Sequence, residues 1–71
     1  MDKERRNWTI WRTLKIRVDG RSVVGSYSHN RWDKLLEVRT AKGSKITQLG
    51  GSSPQVLAKL LLRELADEEK A

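Results

Sequence analysis

Between residues 49 and 66 the apolar positions recur at spacings of three and four, as Val56, Leu57, Leu60, Leu61 and Leu65. That spacing lays a stripe along one side of an α-helix and leaves Lys59, Arg63 and Asp67 on the other. Ser53-Pro54 marks the start. A serine at the N-cap offers a hydroxyl acceptor to an early N–H, and a proline at the first helical position gives up no intrahelical bond. Taking Ser52 as the cap instead pairs it with Gln55 as a capping box. Glu64 falls inside the apolar arc, so it is expected at the edge of the core beside a cation, Arg12 first and Arg21 second. Asp67-Glu68-Glu69 opposes the helix dipole, and fraying is expected there.

Upstream the period changes to two. Trp8 to Ser28 reads as a β-hairpin around Asp19-Gly20, the dipeptide suited to the two positive φ angles of a type I′ turn. The turn fixes the register: Val18 faces Arg21, Ile16 faces Val23, Leu14 faces Gly25 and Arg12 faces Tyr27. Leu14, Ile16, Val18, Val23 and Tyr27 then share one side, while Trp11, Thr13, Lys15, Arg17, Ser22, Val24, Ser26 and Ser28 share the other. Residues 28–33, SHNRWD, read as a loop. A second hairpin joins Leu35–Thr40 to Ser44–Leu49. A three-residue loop with Gly43 in the left-handed region would pair Val38 with Ile46 and Leu36 with Gln48. It would also place Glu37, Arg39, Lys45 and Thr47 on the reverse face. The expected fold is α+β: a four-stranded antiparallel meander of two hairpins, with one C-terminal helix packed on one face. Residues 1–7 are expected to be a flexible basic arm and 8–71 a single ββββα domain.

Composition narrows the function classes. The chain has 71 residues, no cysteine and a formal net charge of +6. Residues 1–48 hold twelve Lys/Arg against five Asp/Glu, and residues 49–71 hold three against four. The basicity therefore belongs to the sheet half, where it favours encounters with polyanions; charge of this size also serves solubility in a small domain. The longest apolar run, Leu60-Leu61-Leu62, is far too short to span a bilayer, and MDKERRNW lacks a signal peptide's apolar stretch. A cytoplasmic location is the expectation.

Candidate chemistry is sparse. His29 is the only histidine, and its neighbours form no nucleophile–base–orienter set, so no catalytic residue, metal ligand or cofactor site is expected and the protein is read as a non-enzyme. Gly51, Ser52 and Ser53 precede the helix and could meet an anion with backbone amides. The commoner reading is that the glycines turn the chain and the serines cap it. Trp8 and Trp32 fit as caps on the open ends of a small core. Trp11 on the uncovered sheet face could stack a base while Lys15, Arg17, Arg39 and Lys45 follow phosphates, with Lys3, Arg5 and Arg6 of the arm adding charge. Single-stranded nucleic acid or RNA is thus the first expected partner. The alternative is a protein partner or a homodimer, using that same face or an edge strand.

VDGRSVVGSYS followed by GSKITQLGGSSPQVLAKLLLREL resembles a group of small bacterial proteins sharing a G-x-K-x-T-Q-L-G-G…P…L-A…L-L-R-E-L ending. The likeness covers roughly residues 14–66. It implies a stand-alone bacterial domain and brings no activity, ligand or catalytic residue with it. The order of four strands and a helix is also that of single-strand-DNA-binding transcriptional coactivators, an analogy of fold alone.

Overall fold

A computed structural model describes residues 7–71. Four strands, β1 (Arg12–Val18), β2 (Arg21–Asn30), β3 (Leu35–Arg39) and β4 (Ser44–Gln48), precede a single helix, α1 (Pro54–Asp67). The strands form one antiparallel sheet in the order β1-β2-β3-β4, the expected meander. Residues 1–6, which include most of the expected arm, lie outside the described residues. Asn7 does not belong to a free arm, because its carbonyl accepts the Arg31 N–H at 3.0 Å.

The first hairpin has the expected register, from Arg12 opposite Tyr27 to Val18 opposite Arg21. Asp19 and Gly20 sit at φ 52° and 80°, the two positive values that a type I′ turn requires. β2 continues to Asn30, so Ser28, His29 and Asn30 belong to a strand rather than to the loop expected there. The chain before β1 extends the ladder: Trp8 pairs with Asn30, and the Thr9 N–H donates to the His29 carbonyl at 2.9 Å. Four steps separate Trp8 from Arg12, while only three separate their partners Asn30 and Tyr27. The surplus residue is a β-bulge at Ile10–Trp11.

The second hairpin departs from expectation. Arg39 lies opposite Ser44, Val38 opposite Lys45 and Glu37 opposite Ile46, which makes a four-residue connection rather than three. Thr40 explains it. Its backbone N–H donates to the Gly43 carbonyl at 2.8 Å, and its hydroxyl accepts the Lys42 and Gly43 N–H groups, each at 3.1 Å. Positive φ occurs at Asp19, Gly20, Lys34, Gly50 and Glu69 among the described residues, not at Gly43. The one-residue shift turns Ile46 out to solvent, 58% exposed, and brings Lys45 to the helix side.

The core packs Leu14, Val18, Val23, Leu36 and Val38 of the sheet against Ala58, Leu61, Leu62, Leu65 and Ala66 of α1. The buried helical stripe therefore runs through Ala58, Leu62 and Ala66, while Val56 and Leu60 are 58% and 56% exposed. Gly25 is where helix and sheet meet most closely. A Cβ there would lie 2.9 Å from both the Arg39 carbonyl oxygen and Leu62 Cδ1.

Both helix ends differ from the sequence reading. Ser53 is the N-cap by position, but its side chain makes no capping hydrogen bond. Its carbonyl accepts the Leu57 N–H at 3.0 Å. The C-terminal turn is closed: Lys70 N–H donates to Leu65 O at 2.7 Å and Glu69 N–H to Ala66 O at 3.0 Å, with Glu69 at φ 60°. This is a Schellman motif, which satisfies carbonyls that a fraying end would leave open. No helix among the described residues is long and apolar enough to cross a membrane.

Candidate nucleic-acid interface

Strand alternation decides which residues can act together. Thr13, Lys15 and Arg17 of β1 share the uncovered side with Ser22, Val24 and Ser26 of β2, with Glu37 and Arg39 of β3, and with Ser44 and Ile46 of β4. Of the five expected basic-face residues, four lie there. Lys45 does not, and that expectation is corrected by the register shift. Lys45 Nζ sits 3.1 Å from Glu64 Oε1 and 2.5 Å from Glu68 Oε2, tying β4 to α1. Lys45 is thus the cation Glu64 required, in place of Arg12 or Arg21. Glu64 itself is not a core carboxylate, since its side chain is 56% exposed. The hydrogen bond to Glu68, then that to Glu64, holds the Lys45 ammonium above the ordinary lysine range. The same bond from Lys45 holds the Glu68 carboxyl below the ordinary carboxylate range.

Trp11 is not a bare stacking platform. The Arg39 guanidinium lies over its ring, 4.8 Å from the centroid, and Trp11 is 37% exposed. Arg39 Nε in turn donates to Glu37 Oε2 at 2.8 Å. Glu37 is only 4% exposed although it belongs to the uncovered side. The chain Trp11–Arg39–Glu37 therefore fixes the guanidinium plane and offsets part of its charge. A shallow depression of about 300 Å³ beside it is lined by Thr13, Val24, Ser26, Arg39, Thr40 and Ala41.

The cations of the first hairpin have no counterion among the described residues. Arg12, Lys15, Arg17 and Arg21 are all exposed, and none forms an ion pair with a described residue. Arg17 makes one long hydrogen bond, 3.4 Å, to the Gly20 carbonyl. Asp19 in the turn is the only acidic residue of that hairpin.

The weak anion site before α1 gains nothing from its geometry. The Ser52 N–H donates to the Leu49 carbonyl at 3.0 Å, closing a turn that Gly50 at φ 58° makes possible. Gly51 and Ser53 complete this connection, as a strand-to-helix turn requires.

A larger concavity, about 570 Å³, lies at the end of the sheet where β2 meets the bulged segment. Trp8, Thr9, Arg12, His29, Arg31 and Trp32 are among its lining residues. Trp32 is 80% exposed and does not cap the core. One signal for this arrangement is legible in the residues, an asparagine two and three residues ahead of Trp32 and Asp33. Asn30 Oδ1 accepts both of their N–H groups at 2.8 Å.

No family model, curated protein or solved structure matches this chain. Its functional reading rests on the geometry above.

Proposed function

We propose that this protein is a small non-enzymatic binding module of the cytoplasm that takes single-stranded nucleic acid on the uncovered side of its sheet. Lys15 and Arg17 meet phosphates, and Arg39, held flat by Trp11 and Glu37, presents its remaining N–H groups beside them. The carrying observation is the division of charge. The cations of β4 and the helix end are consumed by Glu64 and Glu68, whereas Lys15 and Arg17, on the uncovered side of β1, are exposed and form no ion pair among the described residues. Such a stripe tracks a phosphate backbone and gives affinity that depends on salt. Fluorescence anisotropy with a labelled oligothymidylate tests it. Affinity is expected to fall with salt at a log–log slope of about −0.7 per phosphate contacted. Binding unchanged by Lys15→Glu with Arg17→Glu would end this reading.

A second reading has an observation of its own. Val24 and Ile46, 55% and 58% exposed, project from the same side, and a second copy of the chain could cover them. Light scattering decides between the two. A tight dimer that Ile46→Lys dissociates would make this side a subunit interface.

A further inference from the structure

We propose that the groove at the sheet end holds one nucleotide of a single strand, with its base on the Trp32 indole and its phosphate on Arg12 and Arg31. The inference rests on the single-strand reading above but concerns a different surface. Arg12 and His29 alternate with residues of the uncovered side and so point to the helix side of the sheet.

Three observations meet in this groove. The first is a rigid loop that presents an exposed indole. Besides the two bonds to Asn30 Oδ1, Arg31 N–H donates to Asn7 O at 3.0 Å, and Lys34 O accepts the Leu49 N–H at 2.8 Å. Lys34 also holds a left-handed φ of 54°. The loop is thus pinned at both ends, yet the indole it carries is 80% exposed and adds nothing to the core. A loop already held in place presents the ring to a base without the cost of ordering its backbone on binding.

The second observation is charge. Arg12 and Arg31 line the groove together with His29, and no Asp or Glu lines it among the described residues. Neither arginine forms an ion pair with a described residue. A fork of guanidinium donors without a carboxylate fits a phosphate. The third is size, since about 570 Å³ is the volume of a small-molecule cleft and is ample for one nucleotide.

The β2 end is also firmly built beneath the groove. Ser28, fully buried, donates from its hydroxyl to the Thr9 carbonyl at 2.7 Å, and Thr9 Oγ1 accepts the His29 N–H at 3.1 Å.

The experiment compares two probes of equal length, an oligothymidylate and its abasic deoxyribose-phosphate counterpart, on the full chain. Trp32→Ala is expected to weaken oligothymidylate binding about tenfold and to leave the abasic strand unaffected. Arg12→Ala with Arg31→Ala should weaken both. An unchanged amide NMR spectrum confirms the fold of each variant. If Trp32→Ala changes neither affinity, or both equally, the stacking assignment is wrong. Loss of binding in Lys15→Glu/Arg17→Glu, with Trp32→Ala neutral, rejects the groove and keeps the sheet face. The reverse pattern keeps the groove and rejects the face. If neither probe binds, both readings fall. If Trp32→Ala instead disperses a dimer seen by light scattering, the groove is a protein interface and the proposal is overturned.

Discussion

Glu37 stands directly opposite Ile46 in the β3–β4 ladder. The pairing places a nearly buried carboxylate and an exposed isoleucine on one side of the sheet, and it frees Lys45 to reach the helix. Ile46→Thr is therefore expected to change stability by no more than about 0.5 kcal/mol. Leu36→Ala, at a fully buried position, should cost about 2–5 kcal/mol. Urea unfolding followed by tryptophan fluorescence measures both. A loss at Ile46 as large as that at Leu36 would place Ile46 in the core and refute the ladder.

The Lys45–Glu68 pair sets a pH dependence with a definite sign. Glu68 has a depressed folded-state pKa, chiefly through the hydrogen bond from Lys45. Its contribution is complete above the ordinary carboxylate range and is lost as pH falls through the depressed value. Lys45 has a raised pKa, so its contribution is complete below the ordinary lysine value and is lost in strong alkali. Lys45→Met should lower the urea midpoint at neutral pH, and the gap from the parent protein should close in acid. A gap that stays constant down to full carboxylate protonation would show that the pair contributes nothing. Added salt should also narrow it, because both side chains reach solvent.

Gly25→Ala and Gly43→Ala make a contrast. At Gly25 the new methyl meets a backbone carbonyl and the buried Leu62, both at 2.9 Å. The expected loss is about 1–3 kcal/mol. At Gly43 the nearest atom is Lys70 Cβ at 3.1 Å, where a shift of the chain end by a few tenths of an ångström relieves the contact. There the change should stay within about 0.5 kcal/mol. Thermal or urea unfolding checks the ranking, and equal losses would contradict the close helix approach at Gly25.

Thr40 ties the second turn to the chain end. Its hydroxyl accepts two turn N–H groups and donates to the Lys70 carbonyl. Thr40→Val removes these bonds while keeping the shape, at an expected cost of about 1 kcal/mol. Amide hydrogen exchange at Gly43 should accelerate in the variant. Unaltered protection there would mean that the hydroxyl does not hold the turn.

What could be read from the residues tracks how tightly local chemistry constrains geometry. Asp19-Gly20 admits essentially one hairpin closure, so the β1–β2 register followed from it, and with it the placement of Lys15 and Arg17. Thr40–Gly43 admits closures of two, three or four residues, and the choice rests on a threonine hydroxyl that alternation does not register. One step there exchanges Lys45 with Ile46, which is why the basic face held one residue too many. The helix shows the same ambiguity. Leu60, Leu61 and Leu62 are equally apolar, and only the small Ala58 and Ala66 reveal, once the sheet is in place, which arc faces inward. The end groove is not legible in the residues because it joins side chains from a bulged segment, a strand and a loop.

The surplus residue at Ile10–Trp11 also acts as a phase setter. Trp8 and Trp11 are separated by an odd number of positions, so an unbroken strand would send their rings to opposite sides. Trp8 lies opposite Asn30, and Trp11 lies beneath Arg39, both on the uncovered side. Length, rather than the identity of residue 10, thus aligns the two indoles. Removing Ile10 would bring them two positions apart, which a regular strand also keeps on one side, so the deletion would erase the bulge without moving either indole across the sheet.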